Sequence, residues 1–430
     1  MLRSPLPRRR FLTWLAAGAC TPSLLSCTGQ SDRRPGEIVF WTMQLQPKFI
    51  PYFTTLIRRF EADNPGQTVR WVDIPWSAMR SKILTAVSAG TAPDVVNLNP
   101  DFASQLAARG ALLDLQPRIT AAEQARYLPN IWRAGQLGTE TFGLPWYLTT
   151  RVTIANRRLL NQAGFDTPPR TWAEVPAFAR QFRQRTGRYA LFASFVPEDS
   201  AEVLESLVQM GVTLVTPEGR AGFDSEAGRR AFGFWVDLFR AGLLPQECLT
   251  QGHRRAIELY QAGDLGLLQS GPEFLTSIAT NAPAIARVSE AFLQIRGENE
   301  ATNVAAMNLV IPRDAANPNG ALRFALSVTN SANQLAFARE ANVLPSTVQA
   351  LARYQADLTD RGGSPALVRA RTLSAEQITS AQVLVPAMRD LNVLQKLIYD
   401  NLQAAMLGRI STDAAVTGAA RAWNSRLSGS

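Results

Sequence analysis

Aromatic and hydrogen-bonding residues stand together at the ends of several predicted strands. Aromatic rings cover the flat apolar faces of a small ligand, while carboxyl, amide and hydroxyl groups bind its polar rim. In an open α/β sheet, ligands bind just beyond the carboxyl ends of the strands. We therefore expect these residues to line a ligand-binding cleft. The candidates are Trp41, Gln44, Trp76, Asn99, Asp101, Trp146, Tyr147, Thr149, Phe195, Ser270, Gly271, Glu273 and Phe274.

Several candidates also fit a purely structural role. Asn99 and Asp101 follow a short strand and suit caps for the next helix. Trp41 suits a core position, and Trp76 suits a hydrophobic staple at a helix start. Glu273 suits the first turn of a helix, where the helix dipole stabilises a negative charge. The sequence leaves both interpretations open for these residues.

Histidine and cysteine are scarce, which limits the possible chemistry. Cys20 and Cys27 lie in the N-terminal leader, so the rest of the chain carries Cys248 alone and cannot form an internal disulfide. His253 is the only histidine, and we expect it in a solvated polar loop. A zinc site or a Ser-His-Asp triad is therefore not expected. We predict no catalytic residues, no metal and no cofactor.

Length indicates two lobes, and the charge gives only weak evidence for a nucleic-acid partner. The chain has 430 residues, which is too long for one hydrophobic core, so we expect two lobes. Its net charge is +9, but Arg3, Arg8, Arg9 and Arg10 all lie in the first ten positions. No dense basic run with interleaved aromatic residues follows. After the leader, no apolar stretch reaches the roughly 18 residues that a membrane-spanning helix needs.

The leader has the form of an export signal. A basic segment, Arg-Arg-Arg-Phe-Leu, precedes a short apolar segment. The arginine pair also resembles a twin-arginine signal, and the Sec route stays open. The segment Leu-Leu-Ser-Cys ending at Cys27 resembles a bacterial lipobox, which implies cleavage before Cys27 and acylation of its sulfur. We expect a signal peptide at 1–27, a polar tether at 28–36 and lipid anchoring through Cys27.

Alternation of strands and helices indicates an α/β fold. Residues 37–43, 68–74 and 94–98 read as strands, and residues 47–63 and 76–89 read as helices with one apolar face. The fold is organised around residues 88–101, where Gly90 ends a helix and Pro93 forces extended chain before the buried strand. This spacing predicts βαβ units and a mostly parallel sheet.

An ordered series of short motifs resembles one known family. Residues 142–145 (Phe-Gly-Leu-Pro), 169–174 (Pro-Arg-Thr-Trp-Ala-Glu) and 270–274 (Ser-Gly-Pro-Glu-Phe) are three of them. The others are residues 60–66, 88–96, 110–115, 156–165, 263–268 and 341–345. The set resembles extracellular solute-binding proteins of ABC importers, in the carbohydrate-binding, maltodextrin-binding-like branch (family 1). Ala155 and Glu273 depart from the family pattern, which leaves the identity of the sugar open.

The resemblance implies a two-lobed, type II periplasmic-binding-protein-like fold with three interlobe crossovers. The crossovers are expected near residues 146–149, 307–310 and 342–345. Lobe 1 would comprise residues 37–147 and 309–341, and lobe 2 residues 148–308 and 342–430. The implied function is capture of an oligosaccharide, glycoside or polyol by a monomer outside the cytoplasmic membrane. The closed form would deliver the solute, unaltered, to membrane permease subunits.

Three other functions remain compatible with the sequence. Residues 40–43 (Phe-Trp-Thr-Met) also resemble receptors for glycerol-phosphate-type ligands, whose phosphate needs basic side chains or free N–H groups. A secreted glycoside hydrolase would need two facing carboxylates, for which Asp101 and Glu273 are the available pair. A receptor that signals to a membrane kinase is the third possibility.

Overall fold

The computed structural model describes residues 33–427, except for 198, 298–299, 359–361, 379 and 386. The predicted leader and Cys27 lie outside these residues. Within the described residues, no helix combines the length and the apolar character that crossing a bilayer requires.

Strands occur along most of the chain. Their bounds are β1 (Glu37–Met43), β2 (Thr68–Ile74), β3 (Val95–Leu98), β4 (Gln136–Leu137), β5 (Glu140–Thr141), β6 (Leu144–Thr150), β7 (Val152–Asn156), β8 (Leu267–Ser270), β9 (Ser289–Leu293), β10 (Val304–Val310) and β11 (Leu344–Pro345).

Helices fill most of the remaining chain. Their bounds are α1 (Ile50–Asp63), α2 (Trp76–Ser88), α3 (Pro100–Ala108), α4 (Ala121–Gln124), α5 (Pro129–Trp132), α6 (Arg157–Ala163), α7 (Val175–Thr186), α8 (Glu202–Gln209), α9 (Glu226–Arg240), α10 (His253–Ala262), α11 (Glu273–Asn281), α12 (Pro283–Ala286), α13 (Pro318–Val328), α14 (Ser331–Ala341), α15 (Val348–Ala356), α16 (Pro365–Gln377), α17 (Leu391–Met406) and α18 (Thr412–Leu427).

The larger sheet is mixed rather than mostly parallel. Its strand order is β11-β6-β10-β3-β1-β2. The alternation read from the sequence correctly gives β1 pairing parallel with β2 and β3. The later strand β10 enters between β3 and β6 and runs antiparallel to both, and β11 is antiparallel to β6. Because β10 arrives directly from the other sheet, it has no crossover helix that would turn it parallel.

The smaller sheet has β7 at its centre, antiparallel to β8 and β9. The β7 strand follows β6 after a single residue, so one extended segment contributes to both sheets. The end of β8 and the end of β6 are thereby brought to the same region of the molecule.

Buried apolar residues form two separate cores, around which we define lobe 1 and lobe 2. The lobe 1 core includes Phe40, Phe53 and Trp146 and contains the larger sheet. The lobe 2 core includes Phe195 and Trp235 and contains the smaller sheet. Edge-to-face ring pairs in both cores, such as Phe53 on Trp146 at 5.9 Å and Phe195 on Trp235 at 5.5 Å, add to the apolar burial.

The described chain passes between the lobes at three places. Arg151 joins β6 to β7, and residues 294–303 join β9 to β10. The third passage is the region around α16, where the described chain alternates between the cores: Leu358 packs in lobe 1, Ala370 in lobe 2, Ala375 and Ile378 in lobe 1, and Leu391 in lobe 2. This passage comes later than the expected residues 342–345. The reason is that β11 completes the edge of the larger sheet and Tyr354 of α15 still packs in lobe 1.

Phe53 should be a main stabilising residue of lobe 1. Its side chain is fully buried among the rings of Phe40, Trp71 and Phe337. We expect Phe53→Ala to lower the free energy of unfolding by about 3–5 kcal/mol, because it leaves a cavity in a packed core. Urea unfolding monitored by circular dichroism measures this change.

Ile50 on the same helix provides the control, since its side chain is 43% exposed. Ile50→Ala should change the free energy by no more than about 0.5 kcal/mol. Equal losses for the two variants would contradict this view of the core.

Candidate ligand-binding site

A cavity of about 340 Å³ lies between the two lobes. Both apolar and hydrogen-bonding side chains line it, as is usual for small-molecule sites. Lobe 1 contributes Trp76, Asn99, Phe102, Thr149, Thr150 and Met307. Lobe 2 contributes Asp199, Glu205, His253, Ser270, Glu273 and Phe274.

The lobe 1 wall is built from helix starts that follow strands of the larger sheet. Pro75 ends the extended segment after β2, and α2 begins at Trp76, whose side chain is 43% exposed. The chain leaves β3 at Asn99, whose Oδ1 accepts a 2.8 Å hydrogen bond from the N–H of Phe102 and so caps α3. Asn99 therefore has both roles considered for it: it caps a helix and lines the cavity.

The lobe 2 wall is built around the end of β8. This strand ends at the buried Ser270, and Gly271 and Pro272 lead directly into α11 at Glu273. The ring of Phe274 is partly buried and packs edge-on against His253, with centroids 6.0 Å apart. Two aromatic rings, Trp76 on lobe 1 and Phe274 on lobe 2, thus line one cavity from different lobes.

Glu273 is a carboxyl group in the wall whose pKa is raised into the neutral range. Burial raises its pKa to about 7, although its own backbone N–H and the cation of Lys48 act in the opposite direction. Its Oε2 atom is buried and has no hydrogen-bond partner among the described residues. The carboxylate folds over Gly271, where a Cβ atom would overlap both carboxylate oxygens.

A partly buried ion cluster lies beside the cavity at the first interlobe passage, with Arg151 and Glu205 in the cavity lining. The guanidinium of Arg151 lies 3.2 Å from Glu202 Oε2 and 3.5 Å from Glu205 Oε2. Burial raises the pKa of both glutamates, while Arg151 lowers it. Glu202 also accepts from the N–H of Ser194. The single cation is therefore already satisfied by two carboxylates.

The polar neighbours of His253 predicted a solvated loop. The structure instead places His253 in the cavity wall. It begins α10, its N–H donates to Asp199 Oδ2 at 2.8 Å, and its Nε2 is 3.1 Å from Ser270 Oγ. Burial, reinforced by the positive charge of Arg151, lowers its pKa to about 4. The imidazole is consequently neutral at pH 7 and serves as a hydrogen-bonding group.

About half of the predicted site residues lie together in this cavity, and both lobes contribute to the set. These residues are Trp76, Asn99, Thr149, Ser270, Gly271, Glu273 and Phe274. The backbone of Asp101 lies in the first turn of α3, but its side chain is outside what the structure describes.

The remaining predicted residues lie away from the cavity lining. Trp146 and Tyr147 are buried in the lobe 1 core, where Trp146 stacks on Phe337 at 4.8 Å. Phe195 is fully buried in the lobe 2 core, and Trp41 packs against the lobe 1 core. Gln44 is exposed after β1, in a left-handed conformation with φ 54°. Trp146 was expected to cover a ligand face, but it lies near the start of β6 and is fully buried, whereas Thr149 and Thr150 at the other end of that strand line the cavity.

Several lining residues were not anticipated from the sequence. Glu205 lies on α8, and Asp199 and Ser200 lie between the predicted Phe195 and that helix. Gln269 lies within β8, one residue before the predicted Ser270. The charge of Arg151 between two apolar strand segments was the one available signal, because a charge at such a position requires partners.

A second cavity of about 520 Å³ lies on lobe 2 alone, beside Trp172, Met210 and Phe234. It is larger, but it lacks a contribution from lobe 1 and its charged lining is Arg230. In neither cavity, nor elsewhere in the described chain, are three or more His, Cys, Asp or Glu residues grouped to hold a metal ion. The cavity between the lobes is the better candidate site.

Comparison with known proteins agrees with this architecture. The family model described as bacterial extracellular solute-binding protein matches residues 46–335. A solved structure from Synechococcus sp. MITs9220, a "putative oligosaccharide periplasmic-binding protein" in complex with zinc, is 49% identical. The two superpose with a TM-score of 0.87 over 91% of this chain and 99% of that chain.

Two curated relatives are more distant. A Brucella abortus "putative binding protein" is 23% identical over 272 residues, which are 63% of this chain and 66% of the relative. This chain therefore matches just under two thirds of that relative's length. A "Probable ABC transporter-binding protein" of Deinococcus radiodurans is 22% identical over 296 residues, covering 66% of this chain and 70% of the relative.

The family match spans well over half of the chain and includes the first interlobe passage and most of the cavity wall. The two-lobed α/β fold is shared with the solved structure that is 49% identical. The chain therefore belongs to the bacterial extracellular solute-binding proteins.

Proposed function

We propose that the protein binds a neutral carbohydrate in the cavity between its lobes. The observation that carries the proposal is a cavity with aromatic side chains and a rim of hydroxyl, amide and carboxyl groups, contributed by both lobes. Sugars present apolar CH faces and a rim of hydroxyl groups, so this lining is complementary to them. The name of the Synechococcus structure, "putative oligosaccharide periplasmic-binding protein", supports the same ligand class. The solute is an oligosaccharide, a glycoside or a polyol.

The charges of the cavity favour a neutral solute over a phosphate. Asp199, Glu205 and Glu273 are carboxyl groups in the lining, and Arg151 is the one cation among the described lining residues. Arg151 is paired with glutamates, and His253 is neutral at pH 7. A phosphate would therefore meet excess negative charge without an available cation, which disfavours a glycerol-phosphate-type ligand.

The wider role follows from the two lobes. A solute that contacts both lobes stabilises the closed arrangement over the open one. We propose that the closed monomer delivers the solute to the membrane subunits of an ABC transporter, in agreement with the name of the Deinococcus relative. The lobes that we propose are those defined by the two buried cores.

Calorimetric titration with trehalose, sucrose, maltose and glycerol 3-phosphate tests the ligand class. We expect at least one of the sugars to bind and glycerol 3-phosphate to give no heat of binding at pH 7, because the cavity holds excess carboxylate. Binding of glycerol 3-phosphate with no response to any sugar would contradict the proposal.

Trp76 should supply one of the apolar surfaces for the sugar ring. Trp76→Ala is expected to weaken binding of the sugar about ten-fold or more, the usual cost of removing an aromatic contact at the centre of a site. Because Trp76 is largely exposed, the midpoint of thermal unfolding should stay nearly unchanged.

Trp146→Phe is the matched control, since Trp146 is fully buried in the lobe 1 core. It should lower the unfolding midpoint and leave the affinity of the folded protein near the wild-type value. Unchanged affinity in Trp76→Ala together with weakened binding in Trp146→Phe would place the ligand outside this cavity.

We also propose that the solute leaves the protein unaltered. If the protein were instead a glycoside hydrolase, it would release aryl alcohol from aryl glycosides, and Glu273→Gln would abolish that release. We expect no release above buffer during incubation of the wild-type protein with nitrophenyl glycosides. Turnover that disappears in Glu273→Gln would establish the hydrolase alternative.

Finally, we propose that the exported protein is held at the membrane by acylation of Cys27. Two or more acyl chains give stable anchoring, since each buried methylene contributes about 0.8 kcal/mol. Metabolic labelling with a radioactive fatty acid should label the wild type and leave Cys27→Ser unlabelled, with Cys20→Ser as the control. Equal labelling of Cys27→Ser and wild type would exclude this residue as the anchor.

A further inference from the structure

A narrow crevice opens from the hinge end of the cavity. Thr149, Thr150 and Glu273 line both the cavity and the crevice, and Ser374 of α16 and Leu344 of β11 complete its wall. The crevice therefore joins a lobe 1 strand, the start of a lobe 2 helix and the third interlobe passage. It is too narrow to admit a water molecule.

Three buried polar atoms in this crevice have no hydrogen-bond partner among the described residues. They are Thr150 Oγ1, Glu273 Oε2 and Ser374 Oγ. Thr150 and Ser374 are each only 2% exposed, so bulk water does not satisfy them. Buried polar groups are nearly always paired in folded proteins, and an unpaired one is costly. Three such atoms lining one crevice indicate that their partners come with another conformation or with a ligand.

We propose that Glu273 determines solute specificity by accepting a hydrogen bond from a hydroxyl group of the bound sugar, with Thr150 and Ser374 as positioning residues for its carboxylate. This inference rests on the proposed function. An ionised carboxylate accepts several hydrogen bonds, and both hydroxyl side chains are able to donate to it. Glu273 lines both the cavity, where the solute would bind, and the crevice, whose wall includes Thr150 and Ser374.

The local sequence explains why the carboxylate can occupy this position. Glu273 begins α11, whose free N–H groups and dipole favour a negative charge. Gly271 leaves the space that the carboxylate fills, because any Cβ atom at 271 would overlap it. Gly271→Ala should therefore displace the carboxylate from the cavity while Glu273 is retained.

Solute affinity should then depend on pH near neutrality. The pKa of Glu273 is raised to about 7, so the carboxyl group changes charge in this range. Lys48 faces it from the segment before α1 and favours ionisation, and Tyr147 of β6 faces it as a neutral phenol because burial raises the pKa of Tyr147. The other titratable or charged groups of the described lining are Arg151, Asp199, Glu205 and His253.

The direction of the pH dependence of solute affinity follows from the loss of a proton by the Glu273 carboxyl group. If the solute hydroxyl donates to the ionised carboxylate, affinity is complete above the pKa of ligand-free Glu273 and declines as pH falls through it. With a pKa of about 7, the dissociation constant at pH 6 should be up to about ten-fold larger than at pH 8. His253 stays neutral across this window because its pKa is lowered to about 4. Burial raises the pKa of Glu205 and Arg151 lowers it, so Glu273→Gln, which keeps Glu205, separates the contributions of the two carboxyl groups.

Glu273→Gln tests the proposal, with Glu226→Gln as the matched control. Glu226 also occupies the first position of a lobe 2 helix, but its side chain is 88% exposed and does not belong to the cavity lining. Calorimetric titration uses whichever of trehalose, sucrose and maltose binds the wild type. We expect Glu273→Gln to bind ten-fold or more weakly at pH 8, with no change in affinity between pH 6 and pH 8. Glu226→Gln should keep the wild-type affinity and pH profile.

The positioning residues have a weaker and distinct effect. Thr150→Val and Ser374→Ala should each weaken binding at pH 8 about three-fold and shift the pH midpoint of binding upward, because the ionised carboxylate loses a donor. Gly271→Ala should reproduce the loss seen in Glu273→Gln and provides the readout if Glu273→Gln does not fold. Circular dichroism checks that each variant is folded.

The outcomes separate this inference from the proposed function. A wild type that binds none of the sugars would overturn the proposed function itself. A wild type that binds a sugar, together with a folded Glu273→Gln of unchanged affinity or unchanged pH slope, would overturn the role of Glu273 alone. Unchanged affinity in Gly271→Ala would do the same.

Discussion

The ion cluster around Arg151 is the constraint on which the arrangement of the two lobes depends. Arg151 is the one residue between the last strand segment of lobe 1 and the first of lobe 2, so it cannot avoid the interior. Burying an unpaired charge there would cost several kcal/mol. Glu202 and Glu205 on α8 compensate the charge, and the Arg151 carbonyl accepts from Gln377 of the third passage. Two passages and one helix are thereby held beside the cavity.

This arrangement also determines what the cavity can bind. Because the cation is used structurally, the wall that remains offers neutral donors and acceptors, carboxyl groups and aromatic rings. The imidazole of His253, which burial keeps neutral, extends the same surface beside Ser270. A neutral polyhydroxylated solute satisfies such a wall, whereas an anion does not. The pairing of charges at the first interlobe passage therefore also favours a neutral ligand over an anionic one.

The sequence predicted the local elements and about half of the candidate site. Strand and helix periodicity located β1 to β3 and their helices, and the rule for strand ends correctly placed Asn99 and Ser270 in the cavity wall. The rule failed for Trp146 because that residue lies near the start of β6, whereas Thr149 and Thr150 at the end of the strand line the cavity. The antiparallel entry of β10 is a long-range event without a local signal. Glu205 and His253 reach the site only through packing between segments distant along the chain. Likewise, the third passage depends on which core each face of α16 packs against, and this packing has no local signal in the sequence.

The most direct test of a solute site between the lobes is a crystal structure of the protein with the sugar that calorimetry identifies. The account predicts density for the sugar in the cavity between the lobes, in contact with Trp76 of lobe 1 and with Ser270 or Phe274 of lobe 2. Density for the sugar on lobe 2 alone, beside Trp172 and Phe234, with the cavity between the lobes free of it, would contradict the account.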